Sequence, residues 1–204
     1  MKTKRQEALI IFIKNPIKGT VKTRLAKDAG DDKALEIYQE LLVHTRHITT
    51  SLKVDKLLYY SNNIEGNDEW SNDIYQKNVQ VIGGLGEKMM AAFQEAFEAG
   101  YQKVVIIGSD CIALDSNILQ DAFRQLDTND FVIGPTFDGG YYLIGMKTLL
   151  SDVFIEKKWS TESVFPDTLA DLQKTQKSYF LLPQLSDIDY LEDWQKHKNK
   201  KTDT

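Results

Sequence analysis

The chain has 204 residues, enough for one folded domain whose core needs no covalent staples. Hydrophobic residues make up 42% and charged residues 27%, with a net charge of -5, which is ordinary for a water-soluble globular protein and unlike a generally basic nucleic-acid binder. No apolar run approaches membrane-span length, and the single Cys111 excludes an internal disulfide.

The start, Met1-Lys2-Thr3-Lys4-Arg5, leads into a strand rather than a signal-peptide core, so a cytoplasmic protein is expected. His44, His47 and His197 have no Cys or His cluster around them that would suggest zinc, and an oxygen-ligated divalent ion stays open.

In chain order, Ala8 to Ile13 is a continuous apolar run of strand length, which reads as a central strand buried on both faces. Asn15-Pro16 ends it, because Pro has no N–H for a sheet ladder. A basic loop follows, with Lys14, Lys18, Gly19, Lys22, Thr23, Arg24 and Lys27 and no acid among them. Such an island on an acidic protein points to an anion site. Neither G-x-x-x-x-G-K-[ST] nor G-x-G-x-x-G is present, so phosphate would be held by side chains, Lys as a point charge and Arg as a fork.

Gly30 breaks the chain, and Asp31-Asp32 are expected to cap a helix in which Leu35, Tyr38, Leu41, Leu42, Thr45 and Ile48 recur at helical spacing through about Ser51. His44 and His47 lie on it and read as surface residues. Val54 to Tyr60 predicts a strand, Ser61 to Asp73 a loop anchored by Trp70, and Val79 to Ile82 a short third strand. Gly83-Gly84-Leu85-Gly86 opens a helix with a Met and Phe stripe, ending at Gly100. A residue without a Cβ there would let a flat base approach the backbone.

Lys103 to Gly108 is the second strongly buried strand, and it delivers Asp110 to its tip. In open α/β sheets ligands bind beyond the carboxyl ends of strands, which makes Asp110 the first metal candidate. Asp115-Ser116 caps the next helix, to Leu126, so Asp110 is not needed for that. Cys111 reads as a packing residue.

A strand from Asp130 to Pro135 leads to Asp138-Gly139-Gly140-Tyr141, where two glycines would let a sugar or acceptor lie on the backbone, Asp138 would accept from hydroxyls and Tyr141 would stack. A last long helix is predicted from Lys158, with Pro166 in its first turns, and a final strand from Tyr179 to Leu182. Ser186-Asp187-Ile188-Asp189 then opens an acidic segment, whose plain explanation is a helix start complementing the dipole. The polar tail, residues 196–204, is expected to be disordered beyond a single domain over residues 1–195. Alternating strands and helices predict a three-layer α/β/α fold with a mostly parallel sheet.

These segments together carry a family resemblance. P-x-x-G-x-x-K-T-R-L at Pro16 to Leu25, S-D-C at Ser109 to Cys111, G-P-x-x-D-G-G-Y-Y-L-I-G at Gly134 to Gly145 and D-I-D at Asp187 to Asp189 resemble the small bacterial GT-A-like family labelled arsenosugar-biosynthesis-type glycosyltransferases, formerly a domain of unknown function and related to phospholactate guanylyltransferases. The resemblance implies the nucleotide-diphospho-sugar transferase (GT-A) fold and a Mg²⁺- or Mn²⁺-dependent transferase. It implies Asp110 and Asp189 as metal ligands. Lys14, Gly19, Lys22, Thr23 and Arg24 would bind the nucleotide's phosphates, with Lys22, Arg24 and Asp138 in catalytic roles. Gly84, Leu85, Gly86 and Lys88 would bind the nucleotide, Lys88 replacing the usual Arg, and Asp138 to Tyr141 the sugar or acceptor.

The chain departs from the pattern at Ile112 for Pro, at Tyr190-Leu191 for Thr-Pro, and in having one Asp where GT-A proteins keep D-x-D. Its partners would be a nucleotide-activated small-molecule donor and a small acceptor. Glycosyl transfer from an NDP-sugar is the preferred expectation, with nucleotidyl transfer from an NTP and a non-catalytic nucleotide-binding module as alternatives.

Overall fold

The computed structural model describes residues 6–202. One seven-stranded sheet has the order β3-β2-β1-β4-β6-β5-β7. Its strands are β1 (Glu7–Ile13), β2 (Asp55–Tyr60), β3 (Tyr75–Val79), β4 (Lys103–Ile107), β5 (Phe131–Pro135), β6 (Tyr141–Met146) and β7 (Tyr179–Leu181). Only β6 runs antiparallel to its neighbours, so the sheet is mostly parallel as the patterning predicts. The helices are α1 (Thr23–Ala29), α2 (Asp31–Thr50), α3 (Leu85–Glu98), α4 (Ser116–Gln125), α5 (Val164–Lys174) and α6 (Leu191–Thr202).

β1 shows why the sheet is covered twice. Leu9, Ile11 and Ile13 point into a core shared with Ile48 of α2 and with Leu119 and Phe123 of α4. Ala8 and Ile10 point into a second core with Met89 and Phe93 of α3 and Leu172 of α5. A third, smaller core joins Val21 and Leu25 to Ile37, Tyr38 and Leu41 of α2, and to Ile188 and Trp194. It lies where the predicted basic loop and the acidic segment meet.

Several elements differ from expectation. The basic loop turns helical at Thr23, because the buried Leu25 gives α1 an apolar side to pack on α2. α2 is capped by Gly30 without a side-chain bond, and Asp31 and Asp32 act from its first turn. β3 begins at Tyr75, four residues before the predicted strand. The Tyr75 ring is buried edge-to-face on Trp70, and that anchor sets the register, whereas Val79, Val81 and Ile82 are exposed. α5 starts at Val164 rather than Lys158. The polar tail is helical to Thr202, because Trp194 is buried beneath it and Lys198 lies over the Trp194 ring while pairing with Glu40. Residues 203 and 204 fall outside the described residues.

Candidate functional site

Strand order locates the crevice. From β1 the chain moves outward to β2 and β3, then returns to place β4 on the other side of β1. The carboxyl ends of β1 and β4 therefore flank the switch point where such sheets bind ligands. Lys22 follows β1, and Asp110 follows β4.

Both segments are pinned from below. The buried Tyr38 of α2 accepts from the Lys14 amide at 2.7 Å, donates to the Lys14 carbonyl and lies 3.2 Å from the Ser109 hydroxyl. Desolvation, followed by the nearby Asp110 charge, holds the Tyr38 phenol well above its ordinary pKa and so protonated. His44, half-buried rather than on the surface, bonds through Nε2 to the Leu114 carbonyl at 2.8 Å and steadies the chain after Asp110. Asp115 caps α4 by accepting from the Ile118 amide, as its sequence position predicts.

The acidic segment is brought in by β-type pairing. The Leu185 amide donates to Pro135 and the Phe137 amide to the Leu185 carbonyl, and the Ile188 amide then donates to the Asp110 carbonyl at 2.9 Å. Ile188 is buried in the third core, so the alternation of an extended chain puts Asp187 and Asp189 on the opposite side from it. Asp110 and Asp189 converge on one cation. Lys22 Nζ lies 2.6 Å from Asp110 Oδ1 and 3.7 Å from Asp189 Oδ1, and Arg24 Nη1 donates to Asp189 Oδ2 at 2.8 Å.

Asp187 is the site residue that sequence reasoning missed. Its Oδ1 is buried without a hydrogen-bond partner among the described residues. Desolvation, with the charges of Asp110, Asp189 and Asp138 against the opposing pull of Lys22, raises its carboxyl to about 7. The signal was the period-two spacing of the two acids around an apolar Ile.

Other predicted residues divide. Lys14 and Thr23 are exposed, and Gly19 turns the loop at φ 80°. Gly84 and Leu85 are exposed at the start of α3, where the Glu87 carboxylate accepts from the Gly84 amide at 2.7 Å, and Lys88 is half-buried. Gly86 is not open to a base, since a Cβ there would meet the Phe154 carbonyl at 2.4 Å and Trp159 Nε1 at 2.8 Å. A Cβ on Gly139 would meet the Glu162 backbone at 2.3 Å, so that glycine packs against protein rather than offering a platform to a sugar. Tyr141 packs edge-on to Trp159, and its hydroxyl is buried and unpartnered among the described residues. Asp138 is exposed but occupied in part, with Oδ1 accepting from Thr136 Oγ1 and the Gly140 amide. Cys111 is buried and its thiol pushed up to about 12 by desolvation, which fits packing and not nucleophilic chemistry.

The donor set suits a hard cation in part. Two carboxylates already share one positive charge and a third has an orphaned oxygen, yet no group of three His, Cys, Asp or Glu among the described residues is arranged to hold a metal alone. A divalent ion would need oxygens from its ligand as well.

Residues 44–161 match the family model described as "Uncharacterized protein conserved in bacteria (DUF2064)". A crystal structure from Desulfovibrio desulfuricans G20, described as a candidate nucleotide-diphospho-sugar transferase, is 32% identical over 90% of this chain and 82% of that one, with TM-score 0.83. The chain belongs to the DUF2064 family.

The fold extends more widely. A 4-diphosphocytidyl-2C-methyl-D-erythritol synthase from Anaerococcus prevotii matches at TM-score 0.59 and 10% identity over 93% and 92% of the two chains. Rv0371c of Mycobacterium tuberculosis, in complex with manganese, matches at TM-score 0.53 and 12% identity over 95% and 98%. No curated protein sequence matches. This DUF2064 chain thus has the nucleotide-diphospho-sugar transferase type of α/β fold. No helix among the described residues is long and apolar enough to cross a membrane.

Proposed function

We propose that this DUF2064 protein is a divalent-metal-dependent transferase that uses a nucleotide-activated donor, and that it transfers a glycosyl group from an NDP-sugar to a small acceptor. The observation that carries the reading is the meeting of Asp110 and Asp189 on Lys22 at the switch point, with Arg24 beside them. Two carboxylates are enough for the protein's share of a Mg²⁺ or Mn²⁺ site when phosphates bring their own oxygens. A metal held there would neutralise charge on the leaving phosphates. Lys22 and Arg24 would bind the same phosphates, Lys as a point charge and Arg as a fork. The 32% identical relative, described as a candidate nucleotide-diphospho-sugar transferase, supports the choice of donor.

Nucleotidyl transfer from an NTP is the second reading. It is favoured by Gly139 and Tyr141, which pack against the protein's own Glu162 and Trp159 and leave fewer contacts for a sugar. Calorimetric titration with a set of NDP-sugars and a set of NTPs in Mn²⁺ separates the two. An NDP-sugar is expected to bind tightest. NTPs binding at least tenfold tighter than every NDP-sugar, a gap of about 1.4 kcal/mol, would replace glycosyl by nucleotidyl transfer.

A further inference from the structure

Lys22 is held in a way that neither a solvated loop nor a simple phosphate ligand explains. Its backbone is in the left-handed region, φ 47° and ψ 44°, which residues other than Gly, Asn and Asp rarely occupy. Its side chain is 5% exposed, so a flexible ammonium has been taken out of water. Anchoring the loop does not require this, because Val21 and Leu25 on either side are fully buried. A strained backbone and a desolvated charge at one residue are the marks of a functional constraint.

The contact that receives the ammonium is also incomplete. Nζ is 2.6 Å from Asp110 Oδ1, yet it has no aligned hydrogen-bond partner among the described residues. It acts as a point charge between two carboxylates, the place that a cation shared by Asp110 and Asp189 would take.

We propose that Lys22 is the resident counter-ion of Asp110 and Asp189, and that a divalent ion entering the site displaces it. The inference rests on the metal-dependent reading above. An ammonium and a divalent ion cannot both lie against the same oxygens, so a metal arriving alone must break an ion pair and leave Lys22 unmatched. A metal arriving with phosphate brings the anion that Lys22 then takes. Metal and phosphate binding are coupled through this one side chain, and the site holds a bare ion weakly.

The test is Mn²⁺ binding without nucleotide, followed by the electron paramagnetic resonance signal of free Mn²⁺, for the parent, Lys22→Met and the double variant Lys22→Met with Asp110→Asn. The single variant should bind Mn²⁺ at least fivefold tighter than the parent, and the double variant should lose that gain. Mn²⁺ should also raise the melting temperature of Lys22→Met more than that of the parent. Lys22→Gly, which suits the left-handed backbone, repeats the test should the Met variant not fold. If the parent and the Lys22 variants bind Mn²⁺ equally and through Asp110, the displacement is wrong while the metal site stands. If none binds Mn²⁺ alone, the displacement is overturned, and the metal half of the proposed function falls only if the parent also fails to bind Mn²⁺ in the presence of nucleotide.

Discussion

The Ile188 amide donates to the Asp110 carbonyl at 2.9 Å, and this backbone bond, with Cys111 Sγ donating to the Ser186 carbonyl at 3.6 Å, joins the two segments that carry the site's acids. The Ile188 side chain completes the join by filling the small core between Val21, Leu25 and Trp194. Ile188→Ala should therefore destabilise the protein by about 2 to 4 kcal/mol, the usual range for a large core residue cut to Ala. Urea denaturation of the two proteins measures this. A loss under about 1 kcal/mol would mean that the acidic segment is docked by something other than this core.

Gly86 gives a second prediction, on packing against ligand access. A Cβ at this helical position collides with the Phe154 carbonyl, which is backbone and cannot turn aside, whereas at Gly84 the nearest atom is a Glu87 carboxylate oxygen at 3.6 Å. Gly86→Ala should cost on the order of 1 to 3 kcal/mol as overpacking, and Gly84→Ala much less. Thermal melts without nucleotide decide it. Equal melting temperatures for the two variants would restore Gly86 as a surface for a base.

The fold was legible in the sequence wherever burial on both faces left a continuous apolar run, as in β1 and β4, and where a cap or Gly marked a boundary, as at Asp115 and Gly100. It failed where tertiary contacts overrode local pattern. The apolar Val79 to Ile82 stretch reads as a strand, yet the buried Tyr75 fixes an earlier register. The meeting of Asp110 with Asp189 was legible only through the family likeness, since no spacing rule connects residues so far apart. Asp187 escaped because its partner signal, an alternating acid pair, is also what a helix start would show. The packing of Gly139 on Glu162 and of Tyr141 on Trp159 was not legible, because a sequence does not say that these residues fold back onto the turn.

Asp187 sets a pH dependence. An exposed Asp in the unfolded chain titrates near about 4, whereas burial and then the Asp110 charge hold Asp187 up to about 7 in the folded protein. Between those values the folded state keeps a proton that the unfolded state has released, so stability falls as pH rises through the window. The full penalty is present above it. In Asp187→Asn, metal-free, the melting temperature should fall less than the parent's between pH 5 and 7.5, and the variant should be the more stable at the upper end. Parallel profiles for the two proteins would show that Asp187 is ionised in the folded state throughout.

Arg24 allows structure and binding to be separated by magnitude. Its ion pair with Asp189 is well formed at 2.8 Å, but the two side chains are 48% and 33% exposed. An ion pair in such contact with water contributes about 0 to 1 kcal/mol, so Arg24→Ala should leave the melting temperature of the free protein nearly unchanged. A charge-assisted bond from the same guanidinium to a donor phosphate is worth more, about 1.5 to 3 kcal/mol. The variant should therefore bind nucleotide roughly ten- to a hundredfold more weakly while melting almost like the parent. Arg24→Lys should recover only part of the affinity, because a lysine keeps the charge and loses the bidentate geometry. Calorimetry with whichever nucleotide binds the parent best, in Mn²⁺, provides the comparison. Unchanged affinity in Arg24→Ala would confine Arg24 to holding Asp189 and remove it from the phosphate site.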